Sequence, residues 1–140
     1  MAEIEKDSSA VSAERERPDI IVGVTGASGA IYAKEAIDDI LKWAKVHLVM
    51  TEAADRVFEW ELGIALAGQK NREKFLQGYF GSRNLRVYAI RDIGAPIASG
   101  RLGWDAMIVI PASMGTCSRI ASGASSNLLE RAADVMIKEN

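Results

Sequence analysis

The 140-residue chain carries 17 basic and 19 acidic side chains, a formal charge of −2, so nothing in its balance favours a polyanion such as nucleic acid as partner. Hydrophobic residues at 49% and charged residues at 26% are the mixture of one soluble globular domain with a real core. A single cysteine, Cys117, excludes an internal disulfide and suits a reducing, cytoplasmic setting; no apolar run approaches the roughly 20 residues of a membrane span.

The first 18 residues, MAEIEKDSSAVSAERERP, mix acids and bases without an apolar core. They read as a solvated, disordered tail, neither signal nor transit peptide, and leave 19–140 as the domain. Ile20, Ile21, Val22 and Val24 are apolar on both faces, as a strand inside a parallel sheet must be. The run stops at Thr25 and gives way to a glycine-rich turn. Gly26 and Gly29 allow a tight turn and close approach of a ligand, and Ser28 is placed to cap the next helix, whose first N–H groups would face an anion. The motif is neither GxGxxG nor a Walker loop, since no Gly-Lys-Ser/Thr follows.

Ala33, Ala36, Ile37, Ile40, Leu41 and Ala44 then recur at helical spacing. Residues 46–51, VHLVMT, form the second strand of a right-handed βαβ unit. His47, the sole histidine, lies inside that strand and reads as a packed or edge residue rather than a catalyst. Residues 52–62 are helical, with Glu59 and Glu61 near the C-terminal end; carboxylates there oppose the helix dipole, so at least one is expected to have a partner elsewhere. A weaker helical stretch covers 65–81, a strand covers 85–90, and 93–104 is loop by its Gly and Pro content. Residues 106–110, AMIVI, form a further apolar strand ended by Pro111. The Ser/Thr/Gly/Ala-rich segment 112–127 reads as backbone meant to lie close to a ligand, with Cys117 as a small buried or half-buried filler. A helix over 128–138 closes the chain, with Arg131 and Lys138 two turns apart on one face. Strands alternating with helices predict a doubly wound, mostly parallel sheet with both small-residue loops on one rim.

Five blocks in order carry a more specific signal: TGASGAIY at 25–32, HLVMTEAA at 47–54, APIASG at 95–100, PASMGTCSRIASG at 111–123 and NLLERAADVMIKE at 127–139. Together they resemble the flavin prenyltransferase family, the UbiX-type flavoproteins. The resemblance implies a Rossmann or flavodoxin-like three-layer α/β sandwich over 19–140, C-terminally truncated relative to the family, and a homo-oligomer with sites at subunit contacts. It implies metal-independent transfer of a dimethylallyl group from dimethylallyl phosphate, or in some members the diphosphate, to reduced FMN, first at N5 and then at C6. The product, prenylated FMN, would serve a UbiD-type decarboxylase.

By the same resemblance, FMN contacts fall on Gly26, Ala27, Ser28, Thr51, Ser113, Met114, Gly115 and Thr116. The prenyl phosphate falls to Arg131 and Lys138, proton or phosphate handling to Ser28 and Glu61, and the wall of the prenyl pocket to Ala98 and Ser99. The residue types suit the chemistry. Hydroxyls and N–H groups bind a flavin phosphate, an Arg and a Lys stabilise charge developing on a departing phosphate, and Glu61 in an apolar pocket would hold a raised pKa and exchange a proton.

Family members continue for some tens of residues beyond position 140, with a further strand, an Arg-Glu loop at the flavin, and a Tyr and a basic residue on the prenyl phosphate. Two alternatives therefore stand beside the transferase: an FMN-binding accessory or split subunit completed by a second polypeptide, and a relative of the flavin-dependent cysteine decarboxylases, which share a loop like 111–116 but rely on a rim histidine.

Overall fold

The computed structural model describes residues 17–139; apart from Arg17 and Pro18, the expected tail over 1–18 lies outside the described residues. Four strands, β1 (Asp19–Val24), β2 (Lys45–Met50), β3 (Leu85–Tyr88) and β4 (Ala106–Val109), form one sheet in the order β3-β2-β1-β4. Every pairing is parallel. The helices are α1 (Ala30–Leu41), α2 (Glu52–Leu62), α3 (Arg72–Phe80), α4 (Met114–Ser122) and α5 (Leu128–Glu139).

Pleating of the central strands sends alternate residues to two cores. Ile20, Val22 and Val24 with Val46, Leu48 and Met50 pack against Ile37 of α1, Phe58 of α2 and Leu76 of α3. Ile21 and Val49 point the other way, to Ala95, Ile97 and to Leu128, Leu129 and Ala132 of α5. The result is helices on both faces, the doubly wound arrangement expected from the alternation. Gly23 belongs to the second face, where an added Cβ would lie 2.9 Å from Cγ of Leu129; its missing side chain lets α5 sit tightly on β1.

Strand order reverses between β1 and β4. The crossovers from β1 run outward through β2 to β3, then the chain returns to the far side of β1, so the loops after β1 and β4 flank the switch point where such sheets bind ligands.

Two segments differ from the expected elements. The stretch 65–81 narrows to α3, because Gly63 and Gly68 adopt positive φ and break the backbone before Asn71, whose side chain caps Lys74 N at 2.9 Å. The presumed loop 112–127 contains the nine-residue helix α4, started by the Ser113 cap and ended by Gly123 at φ 74°. Small side chains there are compatible with a helix once a cap starts it. Within 93–104 the chain makes two 3-10 turns, Pro96–Ala98 and Gly100–Leu102.

Candidate functional site

A groove of about 700 Å³ opens at the carboxyl ends of all four strands, within the roughly 300–1,000 Å³ typical of small-molecule sites. Thr25 and Gly26 follow β1, Thr51 and Glu52 follow β2, Ile90 and Arg91 follow β3, and Ser113 and Thr116 follow β4.

Thr25, 2% exposed, joins the two loops at the switch point. Its hydroxyl donates to the Pro111 carbonyl at 2.7 Å and accepts from Ser113 N at 2.9 Å, while its own N–H donates to the same carbonyl at 3.2 Å. The Ile110–Pro111 peptide is cis. Gly26 lies hard against the start of α2: a Cβ there would fall 2.3 Å from Ala53 Cβ and 2.9 Å from its carbonyl carbon. Thr51 caps α2 by accepting from Ala54 N at 3.1 Å. The Ser113 hydroxyl accepts from Thr116 N at 3.3 Å and donates to Thr116 Oγ1 at 3.0 Å.

Ser28 does not cap α1. The N-cap is Gly29, in a left-handed conformation with φ 110° and without a capping side chain. The capping group comes from 31 residues away. Glu61 at the end of α2 accepts from Ala30 N at 2.8 Å, Gly29 N at 3.1 Å and the Ser28 hydroxyl at 2.9 Å. This is the partner that a carboxylate at a helix C-terminus was expected to need. The expected raised pKa is reversed, however: Glu61 is exposed, and the N–H of Ala30, the Ser28 hydroxyl and the Gly29 N–H hold it below the ordinary glutamate value.

Of the residues expected at a ligand, Gly26, Thr51, Ser113 and Thr116 converge on the groove. Ala27, Ser28, Met114 and Gly115 stand on the adjoining turns without lining it, and Met114 is 82% exposed. Arg131 and Lys138 are exposed on α5, with Lys138 Nζ 3.0 Å from Asp134, and neither reaches the groove. Ala98 and Ser99 are also apart from it. Ser99 accepts from the Trp104 indole at 2.9 Å, and Trp104 packs edge-on to His47. His47 is 8% exposed, between the Tyr88 hydroxyl at 2.9 Å and Asp19 at 2.7 Å, a packed residue as expected and not a rim histidine. Cys117 is exposed rather than a buried filler, because α4 is open nearly all round, with Thr116 its one buried residue.

Thr25, Arg119, Ser126 and Asn127 fall in segments expected near a ligand but were not singled out as site residues, and Arg91 and Glu130, the partner of Arg119, were not expected there at all. Glu130 is 1% exposed. Its carboxylate accepts from Arg119 Nε and from the N–H and hydroxyl of Ser126, both at 2.7 Å. Burial alone would raise its pKa, but the Ser126 and Arg119 hydrogen bonds outweigh this and lower it. The available signal was an acid amid the buried positions Leu128, Leu129, Ala132 and Ala133 of α5.

The wound sheet and a hydroxyl-lined groove at its switch point define an α/β domain of the cofactor-binding class. A model of the Flavoprotein family matches residues 8–140, and the chain belongs to that family. It is 46% identical over 129 residues to the flavin prenyltransferase UbiX of Alkalihalophilus pseudofirmus, covering 90% of this chain and 63% of the relative. With UbiX of Pseudomonas aeruginosa the identity is 40%, over 86% of this chain and 59% of the relative. Among solved structures, AnUbiX (PadA1) in complex with FMN and dimethylallyl pyrophosphate superposes with a TM-score of 0.70 at 33% identity, over 89% of this chain and 61% of that one. A dodecameric FMN-dependent UbiX-like decarboxylase from Escherichia coli O157:H7 gives 0.70 at 31%, over 86% and 61%. The chain thus spans about three-fifths of the length of the curated relatives it matches. No described helix is long and apolar enough to cross a membrane.

Proposed function

We propose that the chain provides the flavin site of a flavin prenyltransferase, which joins a dimethylallyl group from dimethylallyl phosphate to reduced FMN and supplies prenylated FMN to a UbiD-type decarboxylase. The observation that carries this reading is the convergence of Gly26, Thr51, Ser113 and Thr116 on one groove at the switch point, in a chain 46% identical to a UbiX. The donor set fits FMN: hydroxyls and backbone N–H groups for its phosphate, with Gly26 letting the start of α2 close against the β1 turn. Bound FMN would supply the nucleophilic N5 and C6 positions.

Ser113, Met114, Gly115 and Thr116 bind and orient the flavin from the β4 side, and Gly26, Ala27, Ser28 and Thr51 from the other. Glu61, ionised and tied to Ser28, holds that hydroxyl in place and can accept its proton as the same hydroxyl takes one from the flavin. Arg131 and Lys138, exposed on α5, contact the prenyl phosphate of a neighbouring copy's groove in a homo-oligomer, with Ala98 and Ser99 shaping the wall of such a shared site. A cytoplasmic setting agrees with the single free thiol.

Anaerobic incubation with reduced FMN and dimethylallyl phosphate tests the reading, scored by the mass of the flavin. One added prenyl unit supports it; bound but unaltered FMN overturns it in favour of the accessory role. Arg131→Ala should leave FMN affinity intact and slow transfer by about 10²- to 10³-fold, as loss of one donor to transition-state charge does.

A further inference from the structure

Two cations line the groove, and they are held in different ways. Arg91 is a surface residue whose side chain is 85% exposed and pairs with the exposed Glu52 at the mouth. Arg119 is 45% exposed at its side chain, but its partner is Glu130, with a side chain only 1% exposed. The second oxygen of that carboxylate is occupied by the N–H and hydroxyl of Ser126, and Glu130 N donates to Asn127 Oδ1 at 2.9 Å. The carboxylate is therefore fixed from several sides. It takes only Nε of the guanidinium, and the two Nη groups extend over the first turn of α4: Nη1 lies 3.2 Å from where a Cβ of Gly115 would stand.

Burying a carboxylate for a single half-exposed partner gives little net stability. It does give a cation whose position is set before any ligand arrives, and a guanidinium with a free edge suits the oxygens of a phosphate. We propose that Arg119 is a phosphate-contacting residue of the groove, with Glu130 as its positioning residue. This rests on the flavin prenyltransferase reading, under which two ligands carry a phosphate monoester, FMN and dimethylallyl phosphate.

The test measures affinity for FMN and riboflavin by flavin fluorescence, and for dimethylallyl phosphate by calorimetry on the FMN-loaded protein. Arg119→Gln should weaken one of the two phosphate ligands by about 10- to 100-fold, the scale of a charge-assisted hydrogen bond. Riboflavin binding should be unchanged, and the ligand that weakens identifies the source of the phosphate. Glu130→Gln should weaken the same ligand less, again sparing riboflavin. The double variant Arg119→Gln, Glu130→Gln leaves no unpaired buried charge and should reproduce the Arg119→Gln pattern. Arg119 is excluded if the single and double variants bind both phosphate ligands as the wild type does, or if riboflavin weakens in step with FMN, the mark of a structural role. Those outcomes leave the flavin reading standing. A wild type that binds neither flavin nor dimethylallyl phosphate overturns both.

Discussion

The two turns that flank the switch point are built on opposite plans. The turn after β1 is held by segments distant in sequence: Ala53 closes against Gly26, Glu61 crosses from α2 to cap α1, and Thr25 reaches Pro111 and Ser113. The segment after β4 leans on nearer neighbours, through the Ser113–Thr116 cap and the contacts of Glu130, on α5, with Arg119 and Ser126, besides the Thr25 bonds it shares with the first turn. Its flank is also more open, with Ile108 of β4 38% and Met114 82% exposed. The difference is instructive. A turn braced by remote elements is rigid only when the whole fold is in place, so damage to it spreads, whereas changes in a turn braced chiefly by its own cap and the next helix should register first in binding.

The largest expected break in that contrast is Gly26→Ala. Its Cβ would stand 2.3 Å from Ala53 Cβ, with backbone behind it, so α2 or the β1 turn must move. A loss of about 3 kcal/mol is expected, the upper range for overpacking, with loss of flavin binding; denaturant titration and fluorescence read the two effects. A variant as stable as wild type would show the turn to be pliable.

A smaller effect is expected for Thr25→Val, which keeps the shape and removes the hydroxyl between Pro111 O and Ser113 N. The part-buried Ser113 N–H loses its acceptor, at a cost of about 1 kcal/mol, the lower end for an unsatisfied group. Since the two turns would then be joined only through Thr25 N, flavin affinity should fall with stability, as a urea titration paired with a binding curve would reveal.

The mildest is Glu61→Gln, which retains one capping oxygen. Because the folded-state pKa of Glu61 is depressed, its contribution is fully present above the unfolded glutamate value of ~4.3 and is lost as pH falls through the folded value. Glu130 acts with the same sign. The variant should therefore melt slightly below wild type at neutral pH, and the gap should close on acidification. A gap that stayed constant down to pH ~3 would exclude the charge as its origin.

Much of this molecule follows from local chemistry. The bounds of α2 (Glu52–Leu62) coincide with the run read from the sequence, since the apolar period and the cap at Thr51 lie within a dozen residues. Three of the strands follow from their largely apolar runs and β3 from its alternation, and the parallel order from alternation with helices. The Gly26 and Ser113 turns were legible because a glycine or a serine after a strand has few other uses. The tension at the end of α2 was visible too, as a carboxylate against a dipole.

What the carboxylate does was not visible. Glu61 caps a helix 31 residues earlier, and that contact exists only because α1 and α2 pack side by side on one face of the sheet. The same packing reversed the expected direction of its pKa, since the environment of a titrating group is a property of neighbours in space. Glu130 and Arg119, separated by 11 residues and a turn, become a pair only when α5 closes on β1 through Gly23 and Leu129. Arg131 and Lys138 do share a helix face, as their spacing implies, but a spacing cannot say what that face meets; within one chain both are exposed and neither lines the groove.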